Sequence, residues 1–580
     1  MLKLFRYFKT KDWLSALLVL GLVVVQVWLE LLMPEYTAKL TEEIVNGSPT
    51  MEAIWTNGGY MLLCALGSVV ASIVCGFFVA RIAANFAKTL RNEMFGKILT
   101  FSNEEMSSFS TPSLITRTTN DVVQLQMLIA MGLQVLVKAP VLAIWAICKI
   151  SATSIEWTTA TLIAVAVIVV LVVTLVLVCY PKFKEIQKLT DRLNDVTREN
   201  VSGVRVVRAF NAEAYQEAKF EAVNEKVTKN NLFTSRTMGL MMPVMNLCMN
   251  GLTLAIYWIG AILINRAEAL ERVALLGEMT AFTQYALQVV MAFIMIIVIV
   301  IMLPRSLVSA KRVSEVLETT PRIFGGTVAE GKGENAMLEV KNVSFSYAEG
   351  EEPTLSNVSF SVKRGETVAL IGATGSGKTT LVNLIGRGYD VTEGSILLDG
   401  VDVREYTEEA LHDKIAVAPQ KAVLFKGDVR SNVAYGSRGE VSEERIQAAL
   451  RVAQADFVYA LEGGLESEVA QGGTNFSGGQ KQRLSIARAI YKDADLMIFD
   501  DTFSALDYRT DLLVRRGIKE HCAYSTVLIV AQRIGTIMNA DQIIVLDEGK
   551  IVGMGKHKEL LESCPTYRSI ALSQLRKEEL

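Results

Sequence analysis

The segment GATGSGKT, residues 372–379, decides how the C-terminal part of this chain folds. It matches the pattern GxxxxGK[ST], follows the apolar run ETVALI and leads into the helix-like segment TLVNLIG. In that context backbone N–H groups wrap a phosphate chain, the lysine reaches the outer phosphates and the last hydroxyl binds Mg²⁺. The sequence therefore predicts a nucleoside triphosphate site formed by Gly372, Ala373, Thr374, Gly375, Ser376, Gly377, Lys378, Thr379 and Thr380.

A second acidic motif supports that prediction. The apolar run LMIF, residues 496–499, ends at Asp500, as expected for a buried strand that delivers a carboxylate to the edge of a sheet. A carboxylate beside a phosphate loop holds the Mg²⁺ ion of the bound nucleotide. Taken alone, Asp500 could equally cap a turn. Because strand-like runs alternate with amphipathic helices after residue 336, a parallel sheet covered by helices is predicted there.

The N-terminal half is predicted to lie in a membrane. The chain has 580 residues, of which 51% are hydrophobic, which is too apolar for a wholly soluble protein. About 20 apolar residues are needed to cross a bilayer. Six stretches qualify, at roughly 14–33, 60–82, 128–150, 158–180, 238–264 and 281–302. A net charge of -3 and the lack of a long basic block predict no nucleic-acid partner.

The distribution of basic residues predicts the orientation of these spans. The long segments 83–127 and 181–237 are rich in Lys and Arg, whereas the main part of the first outer loop and the second outer loop contain neither. Positive-inside counting places both termini and both long segments in the cytoplasm, although Arg266 and Arg272 break the pattern after the fifth span. Helical spacing in the long segments predicts that membrane helices continue into the cytoplasm.

The expected fold class is an α-helical transmembrane domain of six spans with long cytoplasmic extensions, followed by an α/β P-loop nucleotide-binding domain. Pro321, Gly325, Gly326, Gly331 and Gly333 indicate a linker between the two. The predicted boundaries are 1–320 for the transmembrane domain, 321–336 for the linker and 337–580 for the nucleotide-binding domain.

The segment NFSGGQKQRLSIARAI, which begins at Asn475, identifies a family resemblance. A hydroxyl, two glycines and a helix N-terminus coincide there, which suits an anion. The chain resembles the ATP-binding-cassette family, whose signature is LSGGQ, with Phe476 in place of the leucine. The resemblance covers nearly the whole chain. It implies that the signature residues complete the ATP site of a partner chain; they are Ser477, Gly478, Gly479 and Gln480.

Further family positions follow from the resemblance. Tyr347 matches the aromatic residue that stacks on adenine, although a strand aromatic in the core is the alternative. Gln420 matches the glutamine that couples nucleotide to the membrane helices and would join Thr379 and Asp500 around Mg²⁺, although a surface polar residue is the alternative. The loop that crosses between paired cassettes corresponds to Ser504, Ala505, Leu506 and Asp507.

Two segments of the N-terminal half resemble cytoplasmic loops of family exporters. They are TRTTNDVVQLQ, residues 116–126, and RENVSGVRVVRAFNAE, residues 198–213. The coupling helices that touch the cassettes are predicted near residues 111–116 and 210–215. Family importers keep membrane and cassette parts on separate chains, so the resemblance implies an export-type half-transporter in a bacterial plasma membrane.

Two catalytic positions depart from the family pattern. Asp501 replaces the glutamate that polarises the attacking water, and Gln532 replaces the switch histidine. A displacement of a base by about 1 Å can lower a rate about a hundredfold. We therefore predict a site that binds ATP but hydrolyses it slowly, in a heterodimer with a different half-transporter that carries the glutamate and the histidine. The alternative is that Asp501 works slowly through an added water molecule.

The cargo is less constrained by the sequence. Methionine-rich spans five and six suit amphipathic compounds, drugs or lipids, but they equally suit packing. Polar groups in spans are more informative, and the candidate pathway residues are Glu30, Lys138, Asn246, Gln284 and Gln288. Lys138 could instead snorkel or pair within the bundle. The alternative functions are a peptide or lipid-precursor exporter subunit and an ATP-gated, channel-like regulatory subunit.

Overall fold

The chain forms two compact units in the computed structural model, which describes residues 2–45, 50–151, 155–268, 271–347, 352–437 and 439–575. One unit comprises Met1–Leu99 and Thr111–Thr319, and the other comprises Thr100–Ser110 and Thr320–Leu580. Residues 46–49, 152–154 and 269–270, on which part of the outer-loop prediction rests, lie outside the described residues.

The first unit is helical. Among the described residues, six helical stretches are long and apolar enough to cross a membrane, which confirms the predicted six-span architecture. Helix α2, Met51–Leu99, has 49 residues. At about 1.5 Å per residue its length is more than twice the thickness of a bilayer core, which is about 30 Å. The helices of this unit are α1 Thr10–Val45, α2 Met51–Leu99, α4 Thr111–Thr116, α5 Val122–Ser151, α6 Ile155–Ser202, α7 Val204–Ala209, α8 Glu213–Gly239, α9 Met241–Arg266 and α10 Glu271–Glu318; α3, Asn103–Phe109, belongs to the other unit.

The core of the helical unit lies where α1 packs against α2 and α10, and where α5 packs against α10. Side chains with no exposed surface, such as Val27, Cys75 and Val290, come from three of these helices. Much of the remaining apolar surface of the unit is exposed, for example Leu63 and Val170. Exposed apolar side chains on helices of this length suit contact with lipid.

The second unit contains a six-stranded sheet in the order β12-β11-β3-β10-β9-β6 and a four-stranded sheet in the order β2-β1-β4-β5. Strands β11, β3, β10, β9 and β6 run parallel, and β12 is antiparallel. The strands are β1 Ala336–Phe345, β2 Leu355–Lys363, β3 Thr367–Ile371, β4 Glu393–Leu398, β5 Val401–Asp402, β6 Ile415–Ala418, β7 Gly427–Asp428, β8 Glu468–Val469, β9 Leu496–Asp500, β10 Thr526–Val530, β11 Gln542–Asp547 and β12 Lys550–Gly555. This arrangement confirms the α/β class.

The register of the parallel strands positions the nucleotide motifs. Val530 of β10 pairs with Leu370 of β3 on one side and with Asp500 of β9 on the other. The carboxyl ends of these strands therefore meet at one edge of the sheet, where ligands bind in open α/β sheets. The helices of this unit, besides α3, are α11 Lys378–Ile385, α12 Glu408–Lys414, α13 Val429–Val433, α14 Glu443–Val452, α15 Gly478–Lys492, α16 Tyr508–His521, α17 Ile534–Ile537, α18 His557–Ser563 and α19 Pro565–Gln574.

The segment predicted as a linker is attached to the second unit. The N–H of Gly326 donates to the carbonyl of Tyr406 at 2.7 Å, and the N–H of Val328 donates to the carbonyl of Glu405 at 2.9 Å. Further along, the N–H of Gly333 donates to the buried carboxylate of Asp399 at 2.9 Å. The backbone hydrogen bonds of this segment are thus made mostly with the second unit, so the segment is ordered along that unit.

One coupling segment differs from the prediction. Helix α4, Thr111–Thr116, belongs to the helical unit, whereas α3 packs within the second unit. The N–H of Asn103 donates to the carbonyl of Gly388 at 3.3 Å, and Glu104 pairs with Arg322 at 2.7 Å. Ser102 and Glu105 form a capping box that starts this helix. The prediction near residues 111–116 was therefore wrong by one short helix.

Candidate nucleotide-binding site

The phosphate loop lies between β3 and α11. Gly375 and Gly377 have φ values of 85° and 96°, a left-handed backbone that glycine adopts without strain. A Cβ at Gly372 would lie 2.0 Å from the carbonyl oxygen of Leu546, so a larger residue would displace the loop. The buried Lys378 donates from Nζ to the carbonyls of Gly372 and Ala373 at 2.8 and 2.7 Å. This geometry fits a phosphate chain, as the sequence predicts.

The Mg²⁺ candidates meet beside this loop. The hydroxyl of Thr379 donates to Oδ1 of Asp500 at 3.4 Å, and hydroxyl and carboxylate oxygens are ligands that Mg²⁺ prefers. Burial raises the pKa of Asp500, and the charge of Asp501 adds to that effect. Burial also lowers the pKa of Lys378, against the opposing charges of Asp501 and Asp500. The donor set therefore fits a cation, whose charge would keep Asp500 ionised.

Asp501 and Gln532, which are predicted to replace the family's glutamate and histidine, are hydrogen-bonded to each other. The side-chain amide of Gln532 donates to Oδ2 of Asp501 at 2.9 Å. The amide of Gln420 donates to the same oxygen at 3.3 Å. These residues line a cavity of about 290 Å³ together with Lys378 and Thr379. The sequence predicted the two replacements but not that both amides converge on one oxygen.

Tyr347 lies beside the phosphate loop rather than in the core. Its hydroxyl hydrogen-bonds with that of Thr380 at 2.9 Å, and its ring is exposed. The edge-to-face contacts of the ring are with Phe345 and Tyr389, at centroid distances of 5.0 and 5.3 Å. An exposed aromatic ring held at the loop suits a base-stacking platform. Tyr389, which steadies it, follows α11 by a few residues, and no motif marked it in the sequence.

Comparison with known proteins identifies the family. Residues 355–504 match the family described as ABC transporter, and residues 16–293 match the family described as ABC transporter transmembrane region. An uncharacterised ABC transporter ATP-binding protein of Mycobacterium tuberculosis is 39% identical over 521 residues, which cover 89% of this chain and 87% of that protein. The chain belongs to the ABC transporter family. It is an ATP-driven exporter half, with a multi-pass membrane region fused to one ATP-binding cassette, and such halves act as dimers.

Other relatives of this ABC transporter carry related names. YfiB of Bacillus subtilis, also called an uncharacterised ABC transporter ATP-binding protein, is 31% identical over 567 residues, or 97% of each chain. The ATP-dependent lipid A-core flippase of Pseudomonas aeruginosa is 32% identical over 502 residues, which cover 86% of this chain and 82% of the flippase. A structure of a bacterial Atm1-family ABC exporter with ATP bound superposes with a TM-score of 0.80, at 23% identity and 98% coverage of each chain. That likeness confirms the exporter fold.

The signature loop of the ABC transporter is preformed. Ser477 caps α15: its N–H donates to Oε1 of Gln480 at 2.8 Å, and the N–H of Gln480 donates back to the Ser477 hydroxyl at 3.3 Å. Ser477 and Gly478 are exposed, so the start of the helix is accessible. Phe476, which replaces the family's leucine, is buried and faces Phe457 at a centroid distance of 6.2 Å. The replacement therefore affects the packing beneath the loop and leaves its polar face unchanged.

The loop predicted to cross between cassettes is hydrogen-bonded to Asp501. The hydroxyl of Ser504 donates to the backbone carbonyl of Asp501 at 2.7 Å. Arg533, which follows Gln532, donates to the carbonyl of Ser504 at 3.2 Å. At the other end of the loop, Asp507 caps α16 by accepting from the N–H of Thr510 at 3.0 Å. The predicted crossing loop is therefore joined to the backbone at Asp501 and to Arg533.

The structure brings together only some of the pathway candidates. Lys138 pairs with Glu30 at 2.9 Å, and Gln288 donates to the carbonyl of Glu30 at 3.4 Å. Asn246 is exposed on α9, and Gln284 is half-buried on α10. Of the alternatives for Lys138, the structure shows pairing within the bundle. Two donors to Glu30, Gln26 and Ser68, were not predicted from the sequence; Gln26 carries a usable signal, because it precedes Glu30 by one helical turn.

Proposed function

We propose that this chain is the ATP-retaining subunit of a heterodimeric bacterial exporter. The observation that carries the proposal is that Oδ2 of Asp501 accepts from Gln532 and Gln420, at 2.9 and 3.3 Å. A residue that activates water must offer a lone pair of suitable basicity to that water. An oxygen that already accepts from two amides has fewer lone pairs left to accept from a water molecule. The carboxylate that would serve as the base is therefore already engaged by amide donors.

The groups that bind ATP are intact by comparison. Lys378 and the loop glycines would bind the phosphates, and the exposed ring of Tyr347, held at Thr380, would stack on the adenine base. Mg²⁺, held by Thr379, Gln420 and Asp500, would neutralise charge on the phosphates when bound. Gln532 can donate a hydrogen bond but cannot supply the positive charge of a protonated histidine. The expected result is tight ATP binding with slow hydrolysis.

The intact signature loop indicates what the chain gives to its partner. Family cassettes pair head to tail, so Ser477 and the N-terminus of α15 would contact the ATP held by the partner. Because the loop is exposed and capped, it is ready for that contact without rearrangement. A partner with the family's glutamate and histidine would then form a fully equipped site. Hydrolysis there would reset the pair, while ATP at the site of Asp501 keeps the cassettes associated.

Two short segments would transmit cassette closure to the membrane helices. One is α3, held by Asn103 and Glu104. The other is the predicted coupling segment at residues 210–215, where Phe210 and Tyr215 have 79% and 70% of their surface exposed. Aromatic side chains are enriched in protein–protein interfaces. We expect this second segment to dock on the cassette of the partner subunit.

Amphipathic drugs or lipids are the proposed cargo, exported across the plasma membrane with both termini of the chain in the cytoplasm. The relative named as a lipid A-core flippase supports a lipid-like substrate. Exposed apolar side chains at membrane depth, such as Leu63 and Val170, are accessible to lipid-borne compounds.

The test is to measure ATPase activity of the full-length chain in lipid discs, alone and with a half-transporter of the same organism that carries the family's glutamate and histidine. We expect slow turnover alone and fast turnover of the pair. Ser477→Arg in this chain should abolish the activity of the pair, although Ser477 lies outside the chain's own ATP site. Fast turnover by the chain alone, or no effect of Ser477→Arg on the pair, would remove the basis for the proposal.

A further inference from the structure

We propose that a polar cluster in the helical unit, centred on the ion pair of Glu30 and Lys138, binds the zwitterionic head group of an amphiphile. The inference rests on the proposed function, because it assigns a substrate class to an exporter of amphiphiles. The cluster joins four helices: Gln26 and Glu30 of α1, Ser68 of α2, Lys138 of α5 and Gln288 of α10.

Three donors converge on a single oxygen of this cluster. Oε1 of Glu30 accepts from Lys138 at 2.9 Å, from Gln26 at 3.0 Å and from Ser68 at 3.2 Å. All four residues lie inside predicted membrane spans. Ionisable side chains at that depth are energetically unfavourable, and they commonly mark the route of a substrate or an ion.

The polar cluster has hydrogen-bonding groups that remain available to a ligand. Within the described part of the chain, the hydrogen bonds to the Glu30 side chain all go to Oε1, so Oε2 is left as an acceptor. An ammonium group has three donors, of which Lys138 uses one in its bond to Glu30. Oε1 of Gln288 is buried and has no hydrogen-bond partner among the described residues. The side chains of Lys138 and Glu30 are 19% and 22% exposed, so a ligand can reach them.

The charge of the pair selects the ligand class. A cation at Glu30 would meet the positive charge of Lys138, and an anion at Lys138 would meet the negative charge of Glu30. A head group with both charges satisfies both sites, with its ammonium at Glu30 and its phosphate or carboxylate at Lys138. Charge-assisted hydrogen bonds then replace those opened in the pair. The pair therefore favours a zwitterion over an ion of either sign.

A second ion pair provides a matched control. Glu35 of α1 and Lys149 of α5 also form an ion pair, so it joins the same two helices. The side chains of Glu35 and Lys149 are 34% and 42% exposed. Gln26 and Ser68 donate to Glu30 and not to Glu35. Neutral variants of this pair test what loss of an ion pair between α1 and α5 does by itself.

The experiment measures binding to the full-length chain in a neutral detergent by native mass spectrometry. Three amphiphiles with the same short acyl chains are compared: a zwitterionic phosphoethanolamine, an anionic phosphoglycerol and a quaternary ammonium cation. The native chain should bind the zwitterion about tenfold more tightly than either ion. Glu30→Gln should shift the preference to the anion, and Lys138→Gln should shift it to the cation. Glu35→Gln and Lys149→Gln should leave the preference for the zwitterion unchanged.

The double variant Glu30→Gln/Lys138→Gln covers the case in which a single variant misfolds, because it leaves no unpaired charge. It should lose the preference for the zwitterion while its melting temperature stays close to that of the Glu35→Gln/Lys149→Gln control. Equal binding of the three amphiphiles by the native chain would show that the cluster is only structural. The same would follow if the double variants of both ion pairs lost the preference for the zwitterion equally. Binding needs no ATP hydrolysis, so this result and the ATPase test of the proposed function can fail independently.

Discussion

Replacing Asp501 with asparagine distinguishes the two roles open to this carboxylate. In the native chain Oδ2 of Asp501 accepts from Gln532 at 2.9 Å and from Gln420 at 3.3 Å. The side-chain oxygen of asparagine can accept the same two hydrogen bonds, so the local geometry should be kept. If Asp501 provides no base catalysis, the hydrolysis rate should change by less than about threefold. If Asp501 activates the attacking water through a second, bridging water molecule, the hydrolysis rate should fall by about a hundredfold or more.

The converse change restores the family residues. The double variant Asp501→Glu/Gln532→His lengthens the carboxylate by one methylene group and removes one of its amide donors. Since a misplacement of about 1 Å costs about a hundredfold in rate, hydrolysis should rise by about that factor. Asp501→Glu alone should give a smaller gain because Gln532 still donates to the carboxylate. Asp501 has a φ of 48°, which aspartate tolerates better than glutamate, so the glutamate variants should lose about 1 kcal/mol of stability.

Both variants are measured by single-turnover phosphate release from the self-paired full-length chain in lipid discs, with protein in excess over ATP. Glu444→Gln, an exposed change on α14, controls for the loss of a carboxylate as such. A hundredfold loss in Asp501→Asn would refute the reasoning. So would the absence of any gain in the double variant when its ATP affinity is unchanged.

Three further predictions concern other parts of the second unit. In Gly388→Ala the added Cβ would lie 2.4 Å from Nδ2 of Asn103, and because that atom ends a flexible side chain, Asn103 should turn away at a cost of about 1 kcal/mol of unfolding free energy or less. Cargo-stimulated ATPase of the pair should still fall because the contact of α3 with Gly388 is disturbed; Gly386→Ala, where the nearest atom lies 3.6 Å away, is the control. Burial raises the pKa of Asp500, and Mg²⁺ binds its ionised form. Mg²⁺-dependent ATP binding, measured as a function of pH, should therefore begin to weaken at a pH above about 4, the usual pKa of an aspartate. Affinity that stays unchanged down to that pH would contradict this. Phe476→Leu should lower stability by about 1 kcal/mol in thermal unfolding and leave the ATPase of the pair unchanged, whereas a loss of that activity would show that the ring has a further role.

The sequence predicted the features that depend on local pattern. A strand, a glycine-rich loop and a helix occur in order around Lys378, and a second apolar strand ends at Asp500, so their meeting follows from the geometry of parallel sheets. The six apolar stretches are equally local, because length and hydropathy alone identify them. These features need no knowledge of distant contacts.

The remaining features depend on contacts between distant residues. Ser68 and Lys138 reach Glu30 across 38 and 108 positions in the chain, and no repeat or spacing encodes such a meeting. The convergence of Gln420 and Gln532 on Asp501 likewise joins separate loops. The error over the first coupling helix is different, because Ser102 and Glu105 carry a local capping signal that identifies the start of α3.

The most direct test of the central claim identifies the nucleotide that the chain retains. Full-length protein is loaded with labelled ATP and Mg²⁺, free nucleotide is removed, and samples are quenched over time to separate ATP from ADP. A typical enzyme turns over in about 0.1 s, and a loss of a hundredfold or more extends that to about 10 s or longer. Intact ATP that persists for about 10 s or longer is the predicted result. Complete conversion to ADP within the first second would contradict it.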